Sequence, residues 1–319
     1  MGSEHDPVTG SPSPPLVSVT VTYHPDLGML AQQMGRLPED CLKVVVDNAS
    51  PPHVQIAISQ LLAKFANTML HLNRHNAGLA AALNQGVGLA VATRPGASML
   101  LLLDQDSEPA VGSIATLLAA YERLARAGVR VGCVGPELFD PATGMTHGFH
   151  VADGWFWRRV LPGPGANEPV CCTNLNGSGT LMSVELFREL GGLDESLFID
   201  HVDTEWSFRV LAHGRLLFGI PAARFIHHIG IGSRRIWLFG WRIWPERAPH
   251  RHRFLFRNTV TLMQRSYVPA VWKFWAGIKM LLTLHVVMIV GPQRRAQLLA
   301  MVRGALDGIR SKRRHGTPG

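Results

Sequence analysis

Blocks of apolar residues alternate with segments of helical spacing along the first third of the chain. The runs that we predict to be strands, each rich in β-branched or aliphatic residues, are 16–22, 42–46, 69–72 and 99–103. Helical spacing is found between them at 54–65 and 79–91. Strands that alternate with helices indicate βαβ units and a parallel sheet, so we expect the α/β class.

A looser version of this pattern continues to residue 235. The predicted helices are 111–127, 184–190 and 203–213, and the predicted strands are 130–134, 176–183 and 217–225. Residues 140–170 are rich in Gly, Pro and Trp, which predicts a long loop or an irregular hairpin. Beyond residue 235 we expect helices with many aromatic and basic residues.

Two carboxylates follow the most apolar strand. Four leucines at 100–103 lead directly into Asp104 and Asp106. In an open α/β sheet, ligands bind at the carboxyl ends of the strands, and two like charges there repel unless a cation neutralises them. Oxygen ligands suit Mg²⁺ or Mn²⁺, which commonly carry a substrate's phosphates. The alternative is a simple strand-end turn in which the two residues cap the next helix.

Other polar residues follow the remaining strands. Thr22 and Tyr23 end the first strand, and Asp47 ends the second. Asp47 could accept a bond from a pyrimidine imide or a ribose hydroxyl, and Tyr23 could stack on a base. Asn76 and Gly78 precede a helix, where free N–H groups attract anions. An Asx turn at Asp47 and a helix N-cap at Asn76 are the alternatives.

An acidic stretch precedes the helix predicted at 203–213. Asp203 and Trp206 share a helix face, and apolar neighbours raise the basicity of a carboxylate, as a general base requires. Asp200 is a second candidate, and a solvated acidic face is the alternative. After the strand at 217–225, His227 or His228 could complete a divalent metal shell, although a single histidine is more often structural.

Charge and hydropathy point to an anionic partner or a membrane. The net charge is +8 and the pI is near 9.8. Seven arginines alternate with aromatic residues over 234–257, which suits a membrane interface or single-stranded nucleic acid. The apolar stretch 270–292 contains Lys273 and Lys279, and its core at 280–290 is shorter than the roughly 20 residues of a spanning helix. We therefore expect an interfacial or packed helix there.

Taken in order, these motifs resemble family 2 glycosyltransferases of the GT-A fold. The similarity covers residues 17–267, and LLLDQDS with LFIDHVDTEWSFR is similar to the bacterial rhamnosyltransferase branch, which includes the rhamnolipid-forming second rhamnosyltransferase. One departure is that Asp203 follows Val202, where many members have Glu-Asp. The motifs that carry the resemblance are Thr22-Tyr23, Asp47-Asn48-Ala49-Ser50, Asn76-Ala77-Gly78, Asp104-Gln105-Asp106, Gly191-Gly192-Leu193-Asp194-Glu195, Asp203-Thr204-Glu205 with Arg209, and His227.

The resemblance implies roles for individual residues. Asp104 and Asp106 would anchor Mg²⁺ or Mn²⁺ and the diphosphate, with His227 on the metal side. Asp203 would be the catalytic base, with Asp200 as its substitute. The nucleotide would be held by Thr22, Tyr23, Asp47, Asn76, Gly78, Asp104 and Gln105. The acceptor side would be formed by Trp206, Ser178, Gly179 and Arg257.

The resemblance also implies an overall organisation. Residues 1–15 would be a disordered tail, 16–110 the nucleotide-sugar-binding part of a Rossmann-like, mostly parallel GT-A domain, and 111–235 its acceptor-binding and catalytic part. Residues 236–319 would form a helical, aromatic-basic region that associates with a membrane.

The implied reaction is inverting, metal-assisted transfer of L-rhamnose from dTDP-L-rhamnose to a lipid-bearing acceptor at the cytoplasmic face of the inner membrane. The acceptor would be a rhamnosyl-lipid, giving a dirhamnolipid, or alternatively an O-antigen or another lipid-linked cell-surface polysaccharide. A nucleic-acid-binding module and a membrane scaffold with a degenerate transferase domain are the competing classes. Nucleic acid is not the expected partner, because such a module would leave the pair of aspartates unexplained.

Overall fold

A computed structural model describes residues 15–141, 144–163, 165–227, 233–237, 241–245 and 247–311, with the backbone alone for 233–237 and 241–245. His228 and, apart from Pro15, the tail predicted at 1–15 lie outside these residues.

The described strands are β1 (Leu16–Thr22), β2 (Leu42–Asp47), β3 (Thr68–Leu72), β4 (Met99–Asp104), β5 (Ser107–Pro109), β6 (Val131–Asp140), β7 (Met145–Thr146), β8 (Phe149–Asp153), β9 (Phe156–Val160), β10 (Val170–Cys172), β11 (Thr180–Ser183), β12 (Leu216–His227), β13 (Ser233–Trp237) and β14 (Trp241–Pro245). The described α-helices are α1 (Leu27–Arg36), α2 (Pro52–Leu62), α3 (Leu79–Thr93), α4 (Ser113–Arg126), α5 (Val184–Glu189), α6 (Val202–Ala212), α7 (Pro249–Met263), α8 (Ala270–Val290) and α9 (Arg294–Ser311). The expected α/β class is confirmed.

One central sheet crosses the boundary predicted at residue 110. Its strand order is β10-β12-β6-β11-β4-β1-β2-β3. Strands β4, β1, β2 and β3 are parallel to one another, as are β12 and β6, whereas β11 runs antiparallel between β4 and β6. The segments predicted at 16–110 and 111–235 therefore share a single sheet, and four of the seven neighbouring pairs in this order are parallel.

The leucines of β4 explain why the sheet is covered on both faces. Successive side chains of a strand point to opposite faces. Leu100 and Leu102 pack in the apolar cluster with α3 and α6, whereas Leu101 and Leu103 pack in the cluster with α1, α2 and α4. All four are buried. A continuous apolar run is therefore what this doubly covered strand requires.

Strand register brings the polar strand ends together. Val21 lies beside Asp104, and Thr22 lies beside Asp47. After Asp106 the chain turns back as β5, which pairs antiparallel with the end of β12, so that Ser107 lies opposite His227. This short strand brings His227 next to the Asp104–Asp106 turn, although 120 residues separate Ser107 from His227.

Of two irregular regions, one agrees with the sequence prediction and one differs from it. Residues 140–170 contain the β8–β9 hairpin, which agrees with the expected irregular hairpin. Beyond residue 235 the expected helix is wrong at first, because β13 and β14 form an antiparallel hairpin before α7 begins. The aromatic residues Trp237, Phe239 and Trp241 recur at every second position, which is the period of a strand, although the composition also suits an interfacial helix.

Helices α7, α8 and α9 follow the sheet. Among the described helices, α8 is long and apolar enough to cross a membrane, judged by length and composition. It is continuous over 21 residues, and 17% of its most apolar 18-residue window is buried. The predicted apolar segment at 270–292 thus contains a single helix, Ala270–Val290, in which few residues are buried.

Gly86 tests the contact between α3 and the sheet. A Cβ added to Gly86 would lie 2.4 Å from Cγ1 of Val19, so we expect Gly86→Ala to lower the free energy of unfolding by about 1–3 kcal/mol through overpacking. Gly88 has no atom within 4 Å of such a Cβ, so Gly88→Ala should raise the free energy by about 0.5–1 kcal/mol through helix propensity. Urea unfolding measures both, and equal effects would contradict the packing described here.

Candidate functional site

A cavity of about 580 Å³ opens at the carboxyl ends of β1 and β4. Sequence-predicted residues from five separate parts of the chain meet in its wall. Those that line it are Tyr23, Asn76, Gly78, Asp104, Gln105, Asp106, Asp200, Asp203, Trp206 and His227. The crevice at the carboxyl edge of such a sheet is the usual ligand site of α/β folds.

Three potential metal ligands converge at one end of the cavity. One ligand atom from each of Asp104, Asp106 and His227 lies within 4.8 Å of the other two. Nδ1 of His227 is 3.7 Å from Oδ1 of Asp106 and 3.1 Å from Oγ of Ser107. Two carboxylates and one imidazole match the ligand preferences of Mn²⁺ and Mg²⁺, with hard oxygen donors in the majority.

The electrostatics of the aspartate pair fit a cation. Burial, followed by the charges of Asp106 and Asp203, raises the pKa of Asp104 to about 7. A carboxyl group with so high a pKa is poorly compensated by the protein's own residues. A divalent ion placed among the three ligands would offset the repulsion between the carboxylates, so these residues fit a metal.

Asp203 lies in the first turn of α6 and also faces the cavity. Its Oδ1 accepts a hydrogen bond from the backbone N of Thr204 at 2.8 Å, and its Oδ2 accepts one from Gly177 N at 3.3 Å. Burial raises the pKa of this carboxyl group, and the hydrogen bonds from Thr204 and Gly177 oppose the rise. The result is a desolvated, oriented carboxylate with increased basicity, as a general base requires.

Asp200 is held differently. Arg251 binds both of its carboxylate oxygens, at 3.1 Å from Nε and 2.8 Å from Nη2. A bidentate guanidinium stabilises the ionised form and occupies the oxygens that would take a proton. Asp203 is therefore better placed than Asp200 to act as a base, and Asp200 is better placed to orient Arg251.

The other end of the cavity is polar and suited to a nucleoside. Tyr23 is 48% exposed, and its backbone N donates to Oε1 of Gln105 at 2.7 Å. Asn48 Nδ2 donates to Oδ1 of Asn76 at 2.9 Å, and the same Oδ1 accepts from Gly78 N. Gly78 has φ +88°, and a Cβ there would lie 2.6 Å from the Phe198 ring. These contacts build a wall with an exposed aromatic ring and amide groups beside it.

Thr22 and Asp47 lie behind this wall, although the sequence predicts direct nucleotide contact. Both are fully buried, and neither lines the cavity. Thr22 Oγ1 donates to Asp47 Oδ1 at 3.0 Å, and Ser50 donates to both oxygens of Asp47. Asp47 therefore makes an Asx-type turn, which was the alternative role expected from the sequence. The neighbouring Asn48 is the residue that faces the cavity.

Three of the four residues expected on the acceptor side are also placed elsewhere. Ser178 is buried and hydrogen-bonds Ser107, while Gly179 packs against Pro136 and Phe225. Neither lines the cavity, whereas their neighbours Gly177 and Thr180 do. Small residues are needed at 178 and 179 because backbone and ring approach closely there.

Trp206 lines the cavity as predicted. It is 3% exposed, and its Nε1 donates to Sγ of Cys133 at 3.4 Å. Glu205 and Arg209 form an ion pair at 2.8 Å. Glu205 also accepts from the hydroxyl of Tyr267 at 2.6 Å, so α6 is fixed to the chain that follows α7.

Arg257 and Asn258 hold the segment that precedes α6. Phe198, Asp200 and His201 all have φ +63°, which non-glycine residues seldom adopt. Asn258 Nδ2 lies 2.7–2.9 Å from the carbonyl oxygens of Leu197, Ile199 and Asp200. Arg257 is thus a structural residue rather than an acceptor contact, since its Nη2 donates to the carbonyls of Ser196 and Leu197.

Sequence reasoning missed the residues that support the site. Gln33 is fully buried, and its Nε2 donates to the carbonyls of Asp104 and Ser107 at 2.7 and 2.6 Å, which fixes the turn bearing Asp106. Ser107 also supports the site, since its hydroxyl lies against Ser178 and His227. The one available signal was a polar side chain at a position that should face the core.

Comparison with curated sequences gives a relative of similar length, and no family model matches the chain. The dTDP-rhamnosyl transferase RfbF of Shigella flexneri is 28% identical over 310 residues, which are 92% of this chain and 95% of that protein.

Solved structures show the same fold. GalNAc-T7 with UDP, GalNAc and Mn²⁺ has a TM-score of 0.59 at 18% identity over 96% of this chain, which spans 59% of that chain's length. The mannosyltransferase PcManGT of Pyrobaculum calidifontis with GDP-Man and Mn²⁺ has a TM-score of 0.53 at 15% identity, over 96% of this chain and 76% of that one. S. aureus TarS 1–349 with UDP-GlcNAc also has a TM-score of 0.53, at 12% identity, over 93% and 81% of the two chains. The predicted GT-A fold and the predicted enzyme class, a glycosyltransferase, are confirmed.

The hydrogen bonds between Asn258 and the segment before α6 can be tested by truncating the Asn258 side chain. Asn258→Ala removes the donor from the carbonyls of Ile199 and Asp200, so we expect the free energy of unfolding to fall by about 2–4 kcal/mol. The amide of Leu79, which donates to the Phe198 carbonyl, should exchange faster with solvent. Asn167→Ala, at an exposed position, is the matched control. Unchanged exchange at Leu79 would show that the segment is held without Asn258.

Proposed function

We propose that this glycosyltransferase transfers L-rhamnose from dTDP-L-rhamnose to a lipid-bearing acceptor at a membrane surface. The transfer reaction is supported by one observation: three potential metal ligands and the desolvated carboxylate of Asp203 lie in the same cavity. The donor is supported by the end-to-end similarity to a dTDP-rhamnosyl transferase.

Asp104, Asp106 and His227 would hold a divalent ion, Mn²⁺ or Mg²⁺, against the donor's diphosphate. Such an ion, when bound, neutralises charge that develops on the leaving nucleotide. The protein's own residues do the remaining positioning. Tyr23, Asn48 and Gln105 would contact the nucleoside, since they line the same cavity.

Asp203 would take the proton from the acceptor hydroxyl. Its carboxylate is fixed by two backbone N–H groups and desolvated by its surroundings, while Asp200 is occupied by Arg251. One base and no separate nucleophile correspond to a single displacement, so we expect inversion at the anomeric carbon.

The C-terminal helices support a lipid-bearing acceptor. Phe274, Trp275 and Leu281 of α8 are 54%, 38% and 69% exposed, and α9 exposes Leu299 and Ile309. Exposed apolar area of this extent marks an interaction surface. We propose that it docks on the cytoplasmic face of the inner membrane. A rhamnosyl-lipid and an O-antigen-type lipid-linked glycan are both compatible, and assays with labelled donor on each would separate them.

Asp203→Asn tests the base. We expect kcat to fall by about 10²–10⁴-fold, because the amide cannot accept the hydroxyl proton, while Mn²⁺-dependent dTDP binding is unchanged. Asp153→Asn, at an exposed position of the β8–β9 hairpin, should keep wild-type turnover. Turnover retained by Asp203→Asn and lost in Asp200→Asn would move the base to Asp200.

A thermal-shift screen tests the donor. With Mn²⁺ present, dTDP at 100 times its Kd should stabilise the protein by about 2.7 kcal/mol, and UDP or GDP at the same concentration should do so less. Asp106→Asn should abolish the dependence on Mn²⁺, because it removes one of the three ligands. A clear preference for UDP or GDP would overturn the rhamnose assignment.

A further inference from the structure

An excess of positive charge lies beside the cavity on the Asp200 side. Arg251 lines the cavity and is paired with Asp200. Asp200 also acts electrostatically on Arg247 and on Lys279 of α8, and each of these two cations acts on the buried His201. Among the described residues this group contains three cations and one carboxylate, which leaves two positive charges uncompensated.

Apart from the electrostatic attraction of Asp200, the side chains of Arg247 and Lys279 have no polar partner in the part of the chain that the structure describes. Neither side chain forms a hydrogen bond or an ion pair there, whereas Arg251 and Arg253 each hold a carboxylate. Burial lowers the pKa of both Arg247 and Lys279, and repulsion from a neighbouring arginine lowers it further. The Lys279 side chain is nevertheless exposed to solvent, so a ligand can reach it. Partly desolvated cations without a paired carboxylate favour an anionic ligand.

Lys279 also connects the cavity to the apolar surface of α8. Trp275 lies four residues before it and Leu282 three residues after it, so the three share one side of the helix. Trp275 Nε1 donates to the carbonyl of Trp155 at the tip of the β8–β9 hairpin, at 2.9 Å, and Trp155 is 69% exposed. The candidate base Asp203, the group of cations and the exposed apolar surface of α8 therefore follow one another in space.

We propose that Arg247, Arg251 and Lys279 form an acceptor subsite for a phosphate group that links the acceptor's sugar to its lipid. The subsite rests on the proposed glycosyl transfer. Two uncompensated positive charges match a phosphate or diphosphate better than a single carboxylate. The planar guanidinium groups bind phosphate oxygens in a bidentate manner, and the lysine adds a point charge. The lipid would then lie along α8 and the sugar would reach Asp203.

The test measures binding of amphiphiles to protein saturated with dTDP and Mn²⁺, so that the donor site is filled. The probes, used below their micelle concentrations, are dodecyl phosphate, dodecanoate and the neutral dodecyl glucoside. We expect dodecyl phosphate to bind most tightly. Arg247→Met and Lys279→Met should each lower the affinity for dodecyl phosphate about ten-fold, because each removes one charge-assisted contact. Dodecyl glucoside should bind all variants alike.

Matched controls separate this effect from a loss of overall charge. Lys64→Met and Arg123→Met remove exposed cations away from the cavity and should leave dodecyl phosphate binding unchanged. Thermal unfolding verifies that each variant is folded, and Lys279→Arg should retain binding. Wild-type affinity in both Arg247→Met and Lys279→Met would overturn the subsite. Equally tight, equally sensitive binding of dodecanoate would overturn its assignment to phosphate.

The same samples report on the proposed function independently. If dTDP fails to bind with Mn²⁺, the nucleotide-dependent transfer itself is contradicted. If dTDP binds normally and dodecyl phosphate is insensitive to both substitutions, the subsite alone is contradicted.

Discussion

The structure depends on placing three carboxylates at the edge of an apolar sheet. Asp104 and Asp106 leave the buried strand β4, and Asp203 faces them from α6 across one cavity. Burial and mutual repulsion raise the pKa of Asp104 to about 7, which means that the fold alone does not compensate this charge. A divalent ion held there would offset this repulsion and favour an anionic group beside it. The proposed affinity for a metal and a nucleotide would thus follow from a local electrostatic cost.

Residues outside the cavity hold its charged groups in position. Gln33 fixes the turn after β4 from one side, and the β5–β12 pair delivers His227 from the other. On the far side, Asn258 holds the positive-φ segment before α6. A carboxylate that must act at a defined distance from a bound donor requires this rigidity, since loss of orientation lowers the rate of transfer. Helix α7 therefore helps to fix the wall of the cavity that carries Asp203.

The sequence motifs and the structure agree where the signal was local. The strand that ends at Asp104, the helix that begins beside Asp203 and the polar ends of β1 and β2 followed from periodicity and from residue type. The prediction of direct nucleotide contact by Asp47 differs from the structure, because its hydrogen-bond partners Thr22 and Ser50 bury it while Asn48 turns outward. Adjacent residues at a strand end point in opposite directions, and the pattern alone cannot assign which one faces the ligand.

The sequence by itself determined the fold class, the candidate metal-binding pair and the candidate base, since these depend on short-range periodicity and on chemical identity. Tertiary structure alone decided that Asp200 is occupied by Arg251, that Arg257 supports the chain from behind the cavity and that Lys279 of α8 joins the cation group. These outcomes depend on contacts between segments 50–80 residues apart. Their geometry is set by packing of helices against the sheet, which no local pattern encodes.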